Sequence, residues 1–136
     1  MKKTLTLLIV FIAVCTYRAK AQNTGRADSV YSMADVIPEF PGGERQFSSF
    51  LVKNMRYPAS CLKRGIKGTV FVKMIIEKDG AVKYAYCVRS VDADIDNEAI
   101  RVLKLSPKWK PGTVGGKPVR VYYTVPISFT PTAIKQ

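Results

Sequence analysis

Histidine is missing from all 136 residues, and acidic residues are scarce, with ten Asp and Glu against 22 Lys and Arg. Without an imidazole, the chain lacks the side chain that most often acts as general acid, general base or metal ligand near neutral pH. No Ser or Cys has an evident base, and no carboxylate pair follows strand ends as a catalytic acid and base would. We therefore predict a protein that is not an enzyme and uses no cofactor.

Long apolar runs are also missing, with the exception of residues 5–14. That run is about half of the roughly 20 residues that a membrane-spanning helix needs. It follows a basic start, and Ala19-Lys20-Ala21 has the A-x-A pattern of a cleavage site. The sequence predicts a signal peptide over residues 1–21 that is removed before Gln22, and hence an exported protein.

Export changes what the surplus of positive charge implies. Four cations precede Gln22 and all ten acids follow it, so a processed chain carries +8 rather than +12. In a cytosolic protein this surplus would suggest nucleic acid, but an exported protein meets anionic envelope surfaces or acidic peptides instead. We expect no nucleic-acid partner. A solvated basic surface that keeps a small domain soluble is an equally good interpretation of the charge.

Cysteines are few, and only Cys61 and Cys87 remain after processing. An oxidising compartment permits a disulfide between them. Their spacing does not show that they meet, so the pairing stays open.

The best-defined element is a hairpin over residues 68–90, in which two alternating apolar runs flank Lys78-Asp79-Gly80. A two-residue loop would mix apolar and charged side chains on one face. A three-residue loop gives one continuous apolar face and places Gly80 where a left-handed residue is needed. This register predicts four cross-strand pairs: Ile76 with Val82, Met74 with Tyr84, Val72 with Tyr86, and Val70 with Val88.

Helices are predicted on both sides of the hairpin from apolar stripes at helical spacing. The first covers residues 44–55, and a shorter one begins at Pro58 and ends before Gly65. A third covers residues 94–106, with Asp94 or Asp96 as its cap. The acids at 92–96 superficially resemble the start of a calcium loop but lack its glycine and its final glutamate, so we expect no metal site.

The last element, over residues 119–129, alternates strictly between apolar and other residues and is predicted to be a strand. A right-handed crossover places it beside the first hairpin strand, in spatial order 2-1-3. Pro126 suits an edge position. We therefore predict a two-layer α+β domain over residues 38–132, with a three-stranded antiparallel sheet, helices on one face and a short flexible lead over residues 22–37.

The last strand would leave a long hydrophobic edge, which proteins must cover or use. Its use would be β-augmentation, in which an extended peptide adds a strand and is held by main-chain hydrogen bonds. Coverage by the lead or by a second copy of the domain is the alternative, and a self-associating envelope module would follow from the latter.

A set of motifs in fixed order resembles the TonB C-terminal domain family over roughly residues 38–130. The PEFPGG opening is similar to a form common in Bacteroidetes-type envelope proteins. The motifs are Pro38-Glu39-Phe40-Pro41-Gly42-Gly43, Tyr57-Pro58, Gly65-Ile66-Lys67-Gly68, Asp79-Gly80, Asp96-Asn97-Glu98-Ala99, Pro107-Lys108-Trp109-Lys110-Pro111-Gly112, Gly116-Lys117-Pro118-Val119 and Pro126-Ile127-Ser128-Phe129.

This resemblance implies a periplasmic domain that binds the TonB box of outer-membrane transporters by adding it to the C-terminal strand. The ladder would come from the main chain of Val121, Tyr123 and Val125 or from that of the alternating residues, and Arg120 and Tyr122 would contact the peptide. The implied peptide-binding residues are Tyr57, Pro58, Val119, Arg120, Val121, Tyr122, Tyr123, Thr124 and Val125.

The chain departs from TonB itself in its first part. TonB has a membrane anchor that couples to an inner-membrane motor complex, and a long Pro-rich segment. This chain has a cleavable signal and a short lead. If residues 1–21 were kept as an anchor, the protein would be a minimal energy transducer, which a mature N-terminus at Gln22 would exclude.

Overall fold

The computed structural model describes residues 29–131 of the chain. The predicted signal peptide, its cleavage site and the start of the lead lie outside these residues. Within them, no helix combines the length and the apolarity needed to cross a membrane. The elements in chain order are β1 (Val30–Tyr31), α1 (Gly43–Asn54), α2 (Ala59–Lys63), β2 (Gly68–Ile76), β3 (Val82–Arg89), α3 (Ala93–Lys104), β4 (Thr113–Val114), β5 (Lys117–Pro118) and β6 (Arg120–Phe129).

The main sheet has the strand order β1-β6-β2-β3. β2 lies between β3 and β6 and is antiparallel to both, as predicted. The predicted three-stranded sheet is nevertheless incomplete, because β1 pairs in parallel with the start of β6 and makes the sheet four-stranded and mixed. β4 and β5 form a separate two-stranded sheet. The α+β class holds, and part of the lead that we expected to be flexible is a strand.

The hairpin has the predicted loop but not the predicted face. Ile76 pairs with Val82, and Gly80 is left-handed at φ 88°, as expected. Two register shifts follow along β3, so Val72 pairs with Cys87 and not with Tyr86. The pairs predicted for Val72 and Val70 are therefore wrong, and Met74 stands opposite Tyr84 and Ala85 together.

A bulge in β3 explains this change of face. Two residues, Tyr84 and Ala85, stand opposite the single residue Met74, and Tyr84 has φ 53°. An extra residue in one strand moves the following side chains to the other face of the sheet. Tyr84 and Tyr86 are consequently exposed, by 69% and 47%, whereas Cys87 packs against the core.

The apolar stripes of the helices form the core as predicted. In α3, the buried residues are Ile95, Ala99, Val102 and Leu103. α2 ends with Gly65 at φ 65° and with a hydrogen bond from the Ile66 N–H to the Cys61 carbonyl, which is the glycine-terminated end that the sequence indicated.

The cap of α3 differs from the prediction. Asp92 is the N-cap, and its carboxylate accepts a hydrogen bond from the Asp94 N–H at 3.1 Å. Asp96 instead accepts from the Val91 N–H at 3.1 Å. The Arg64 guanidinium lies 3.1 Å from the Asp92 carboxylate and joins α2 to α3. Asp94 and Asp96 fall in the first turn of the helix, where a carboxylate is favoured but the capping geometry is no longer available.

Asp92 should make the contact between α2 and α3 sensitive to acid. Its pKa is lowered by the hydrogen bond from Arg64, then by those from Cys61 and the Asp94 N–H. A depressed carboxyl pKa contributes stability that is present above the unfolded-state pKa of about 3.9 and is lost as the pH falls through the folded-state value. We expect Asp92→Asn to have a lower urea midpoint than the wild type at pH 7, and the gap to close below about pH 4. A difference in urea midpoint that stays constant from pH 7 to below about pH 4 would contradict this role.

Trp109 lies at the centre of an aromatic cluster in the core. It is 4% exposed, and its Nε1 donates a hydrogen bond to Ser106 Oγ at 2.7 Å. Its ring meets those of Phe40 and Phe47 edge-on at centroid distances of 5.5 and 5.4 Å. The hairpin loop seals this cluster, since the Trp109 N–H donates to the Gly80 carbonyl at 2.9 Å. The PEFPGG segment and α1 are thereby fixed beside the sheet.

Candidate functional site

The open part of β6 forms the candidate site. β1 pairs with β6 at Arg120 and Val121, and from Tyr122 to Phe129 the partner of β6 within residues 29–131 is β2 on its inner side. The main-chain groups of that stretch that do not face β2 lie along an edge that another strand can join. β1 belongs to the lead, so its two pairs with β6 are the coverage that the sequence analysis gave as the alternative to peptide binding, and the rest of the edge stays uncovered within the described residues.

Pro126 indicates which residues direct their main chain to this edge. It lies in an uninterrupted antiparallel ladder opposite Phe71 of β2. A proline has no N–H, so it occupies a position whose nitrogen faces away from the neighbouring strand. Since the direction alternates along a strand, Tyr122 and Thr124 point their N–H and C=O groups outward, and Tyr123 and Val125 point theirs to β2. Of the two ladders that the sequence left open, this favours the alternating residues.

Several predicted contact side chains already have partners within the chain. Arg120 lies beside Glu77, with its Nε 2.8 Å and its Nη2 3.1 Å from the two carboxylate oxygens. Tyr122 lies under the Lys73 ammonium, which is 4.4 Å from the ring centroid. The structure therefore gives Arg120 a position in an ion pair, with both side chains mostly buried. Arg120 needs to leave Glu77 before it can bind a peptide carboxylate.

The inner-face residues of the predicted site belong to the core. Val119, Val121 and Val125 are 9%, 2% and 4% exposed. The ring of Tyr123 lies 5.6 Å from that of Trp109. These four side chains position the strand, and Thr124 is exposed on the other face.

Tyr57 and Pro58 do not lie near the other predicted peptide-binding residues, which are in or just before the first half of β6. The Tyr57 ring packs 6.1 Å from that of Phe129, at the far end of β6. At about 3.3 Å per residue, Phe129 lies about 20 Å from Tyr123 along the strand. Tyr57 is 8% exposed, and its hydroxyl donates a hydrogen bond to the Ile66 carbonyl. Burial, followed by the charge of Cys61, raises the Tyr57 pKa, which keeps this hydroxyl protonated. Pro58 precedes α2 and accepts the N–H groups of Cys61 and Leu62.

A groove of about 530 Å³ adjoins the open edge, and sequence reasoning missed it. One wall is the β6 stretch from Tyr123 to Pro126, and the opposite wall combines the PEFPGG segment with α1. The carboxylates of Glu39 and Glu44 lie on this opposite wall. The lining residues are Ile37, Pro38, Glu39, Phe40, Glu44, Phe47, Ser48, Leu51, Trp109, Tyr123, Thr124, Val125 and Pro126.

The residues that line this groove are present in the sequence as ordinary core and turn patterns. Proline and glycine in PEFPGG are typical of a bend before a helix, and a lone Trp such as Trp109 is typical of a core. What the pattern did not show is that a gap remains between these elements and β6. A second groove, of about 880 Å³, lies at the end of α1 beside Tyr57 and is lined by Ser48, Ser49, Val52, Lys53, Met55, Arg56 and Tyr57.

The two cysteines, Cys61 and Cys87, are not joined by a disulfide. Cys61 Sγ and carboxylate oxygens of Asp92 and Asp94 lie within 4.8 Å of one another. Asp92 already caps α3 and pairs with Arg64, while Asp94 accepts a hydrogen bond from Ser60. Burial raises the pKa of Cys61, and the hydrogen bond to Asp92 raises it further, so the thiol stays protonated at neutral pH. This cluster joins α2 to α3.

The structure is a two-layer α+β domain in which part of the outer edge of β6 is not paired within residues 29–131. A model of the family described as Gram-negative bacterial TonB protein C-terminal matches residues 53–131, which is more than half of the chain. The chain belongs to this family, as its motifs indicated. TonB C-terminal domains are periplasmic, non-enzymatic and transport-related, and they interact with TonB-dependent outer-membrane receptors.

Solved structures of the same domain from Helicobacter pylori are similar to this chain. A solution structure of residues 194–285 of that protein is 24% identical, covers 63% of this chain and 90% of its own, and has a TM-score of 0.47. A longer form, residues 179–285, is 27% identical over 62% of this chain and 75% of its own, with a TM-score of 0.45. No curated protein matches the sequence.

Proposed function

We propose that this protein binds TonB-box peptides of outer-membrane transporters by β-augmentation, as a periplasmic component of TonB-dependent transport. The observation that supports this most is the outer edge of β6 beyond Tyr122, where the outward main-chain groups, such as those of Thr124, face no other strand within residues 29–131. Family membership supports a TonB-like role in transport.

The main chain of Tyr122 and Thr124 supplies the hydrogen bonds to the added strand. An extended peptide beside these residues places alternate side chains on the two faces of the sheet. Side chains on the helix-covered face then enter the groove between β6 and α1. Its mixture of aromatic rings and the two carboxylates of Glu39 and Glu44 suits a side chain with an apolar stem and a polar or cationic end.

Binding of this kind is weak and transient, as transport requires. An added strand makes few contacts outside its main chain, and the peptide loses conformational freedom when it binds. We place the dissociation constant in the micromolar range. Coupling of this binding to a motor complex would require residues 1–21 to be kept as an anchor, and these lie outside the described residues.

The test is a calorimetric titration of the protein, exported to and purified from the periplasm of an expression host. The ligands are synthetic TonB-box peptides from the outer-membrane transporters of the same organism. We expect saturable binding by one or more peptides, with Kd near the micromolar range, and no binding by matched peptides that carry proline at two central positions. If every peptide fails to bind, the domain has kept the fold with a different ligand and the proposal is wrong.

A further inference from the structure

The first two residues of β6, just before the open stretch, pair with a strand of the chain itself. Val30 pairs with Arg120 and Tyr31 with Val121, and β1 runs parallel to β6. In this register Ser32 stands level with Tyr122, where the chain bends away from the sheet. Neighbouring strands lie about 4.8 Å apart, so one edge holds one strand at a time. A peptide that pairs along β6 from Arg120 cannot bind while β1 is in place.

The lead is fastened just beyond β1, so β1 remains near the edge even when it detaches. The Asp35 N–H donates to the Thr113 carbonyl at 2.9 Å, and the Asp35 carboxylate accepts from the Gly115 N–H at 2.8 Å. Val36 and Thr113 exchange both main-chain hydrogen bonds, at 3.2 and 3.0 Å. The three residues between Tyr31 and this anchor form a short tether. A tethered strand competes at a high effective concentration.

The attachment of β1 itself is small. It consists of two paired residues, and both Val30 and Tyr31 are only partly buried. Met33, in the tether, is 84% exposed. A two-residue strand with little buried apolar surface opens locally at low cost, whereas the anchor at Asp35 does not need to move.

We propose that β1 is an internal competitor for the peptide edge, and that a transporter peptide binds by exchanging with β1. This inference rests on the proposed function and specifies how the same site is regulated. The observed affinity equals the intrinsic affinity multiplied by the fraction of molecules in which β1 is detached. The processed lead therefore sets how tightly the domain holds its ligand.

The test compares the wild-type protein with Val30→Pro/Tyr31→Pro in the titration described above. Proline at both positions removes the Tyr31 N–H, which the register directs to β6, and restricts the backbone of both residues, so β1 cannot pair. We expect the variant to bind the same TonB-box peptide about three- to tenfold more tightly, because its edge is open in every molecule. Met33→Ala, in the exposed tether, is the matched control and should bind as the wild type does.

Hydrogen exchange on the wild-type protein gives a second measurement that needs no variant. Saturating peptide should speed exchange at Tyr31, whose N–H faces β6, and slow it at Thr124. Two results together would contradict the competition: equal affinity of the peptide for the wild type and the variant, and unchanged hydrogen exchange in β1. In that case the replacement of β1 by the peptide is wrong, while the proposed peptide site is still supported. If neither protein binds any peptide, both proposals fail.

Discussion

Gly80→Ala is expected to lower the free energy of unfolding by about 3 kcal/mol or more, from backbone strain and overpacking together. A Cβ at this position would lie 1.9 Å from the main-chain oxygen of Trp109. The loop cannot shift to relieve this contact, because the Gly80 N–H donates to the Glu77 carbonyl and the Gly80 carbonyl accepts from the Trp109 N–H. Its φ of 88° adds strain for any L side chain. Urea unfolding at pH 7 measures the loss.

Gly115→Ala is the matched control for this prediction. Gly115 also has a left-handed backbone, with φ 58°, but a Cβ there would meet nothing within 4 Å. It should lose only the conformational part, about 1 kcal/mol. Similar losses in the two variants would show that the contact between the hairpin loop and the Trp109 segment does not hold the domain together.

Tyr122→Pro is expected to weaken TonB-box binding by about 10- to 100-fold while leaving the domain folded. The substitution removes an N–H that points to the open edge, and the peptide carbonyl opposite it loses its donor. The N–H of Tyr122 does not belong to the ladder with β2, and the register of β1 directs it to the Tyr31 carbonyl. Only the two-residue pairing with β1 is lost, so we expect the urea midpoint to change little. Calorimetric titration measures the affinity, and circular dichroism confirms the fold.

Two further substitutions separate the main chain from the side chain. Tyr122→Ala removes the ring that lies under Lys73 but keeps the N–H, so it should bind peptide nearly as the wild type does. Tyr123→Pro removes an N–H that bonds to β2 and should destabilise the whole domain. If Tyr123→Pro folds normally and loses peptide binding while Tyr122→Pro binds well, the direction that we derive from Pro126 is reversed.

The helices and the order of β3, β2 and β6 could be predicted because they depend on repeated local patterns. The stripe of Ile95, Ala99, Val102 and Leu103 determines which face of α3 is buried, and handedness restricts where β6 can lie. The side chains of β3 that face the core could not be predicted, because the residue types do not reveal the bulge that shifts the alternation. Tyr84 gives no sign of a positive φ, which is a conformation that glycine usually adopts.

The candidate site was predicted as far as it depends on the C-terminal strand. Its alternation predicted the strand, and Pro126 predicted a position at the edge of the sheet, which β1 covers at Arg120 and Val121. β1 is too short to give a period, and its pairing with β6 depends on a tertiary contact between residues about 90 positions apart. The groove arises from the space left between α1, Trp109 and β6, and a gap of this kind is a property of packing that no single segment encodes.

The irregular β3 has a consequence for how many partners the domain can join. A sheet with two regular open edges can pass strand addition from molecule to molecule and grow into a fibre. Here β3, the other outer strand, carries two register shifts and the charged side chains of Lys83 and Arg89. These shifts interrupt the even spacing of N–H and C=O groups that a further strand would need. Strand addition therefore stops after one step. A domain that accepts a strand on β6 does not accept another on β3.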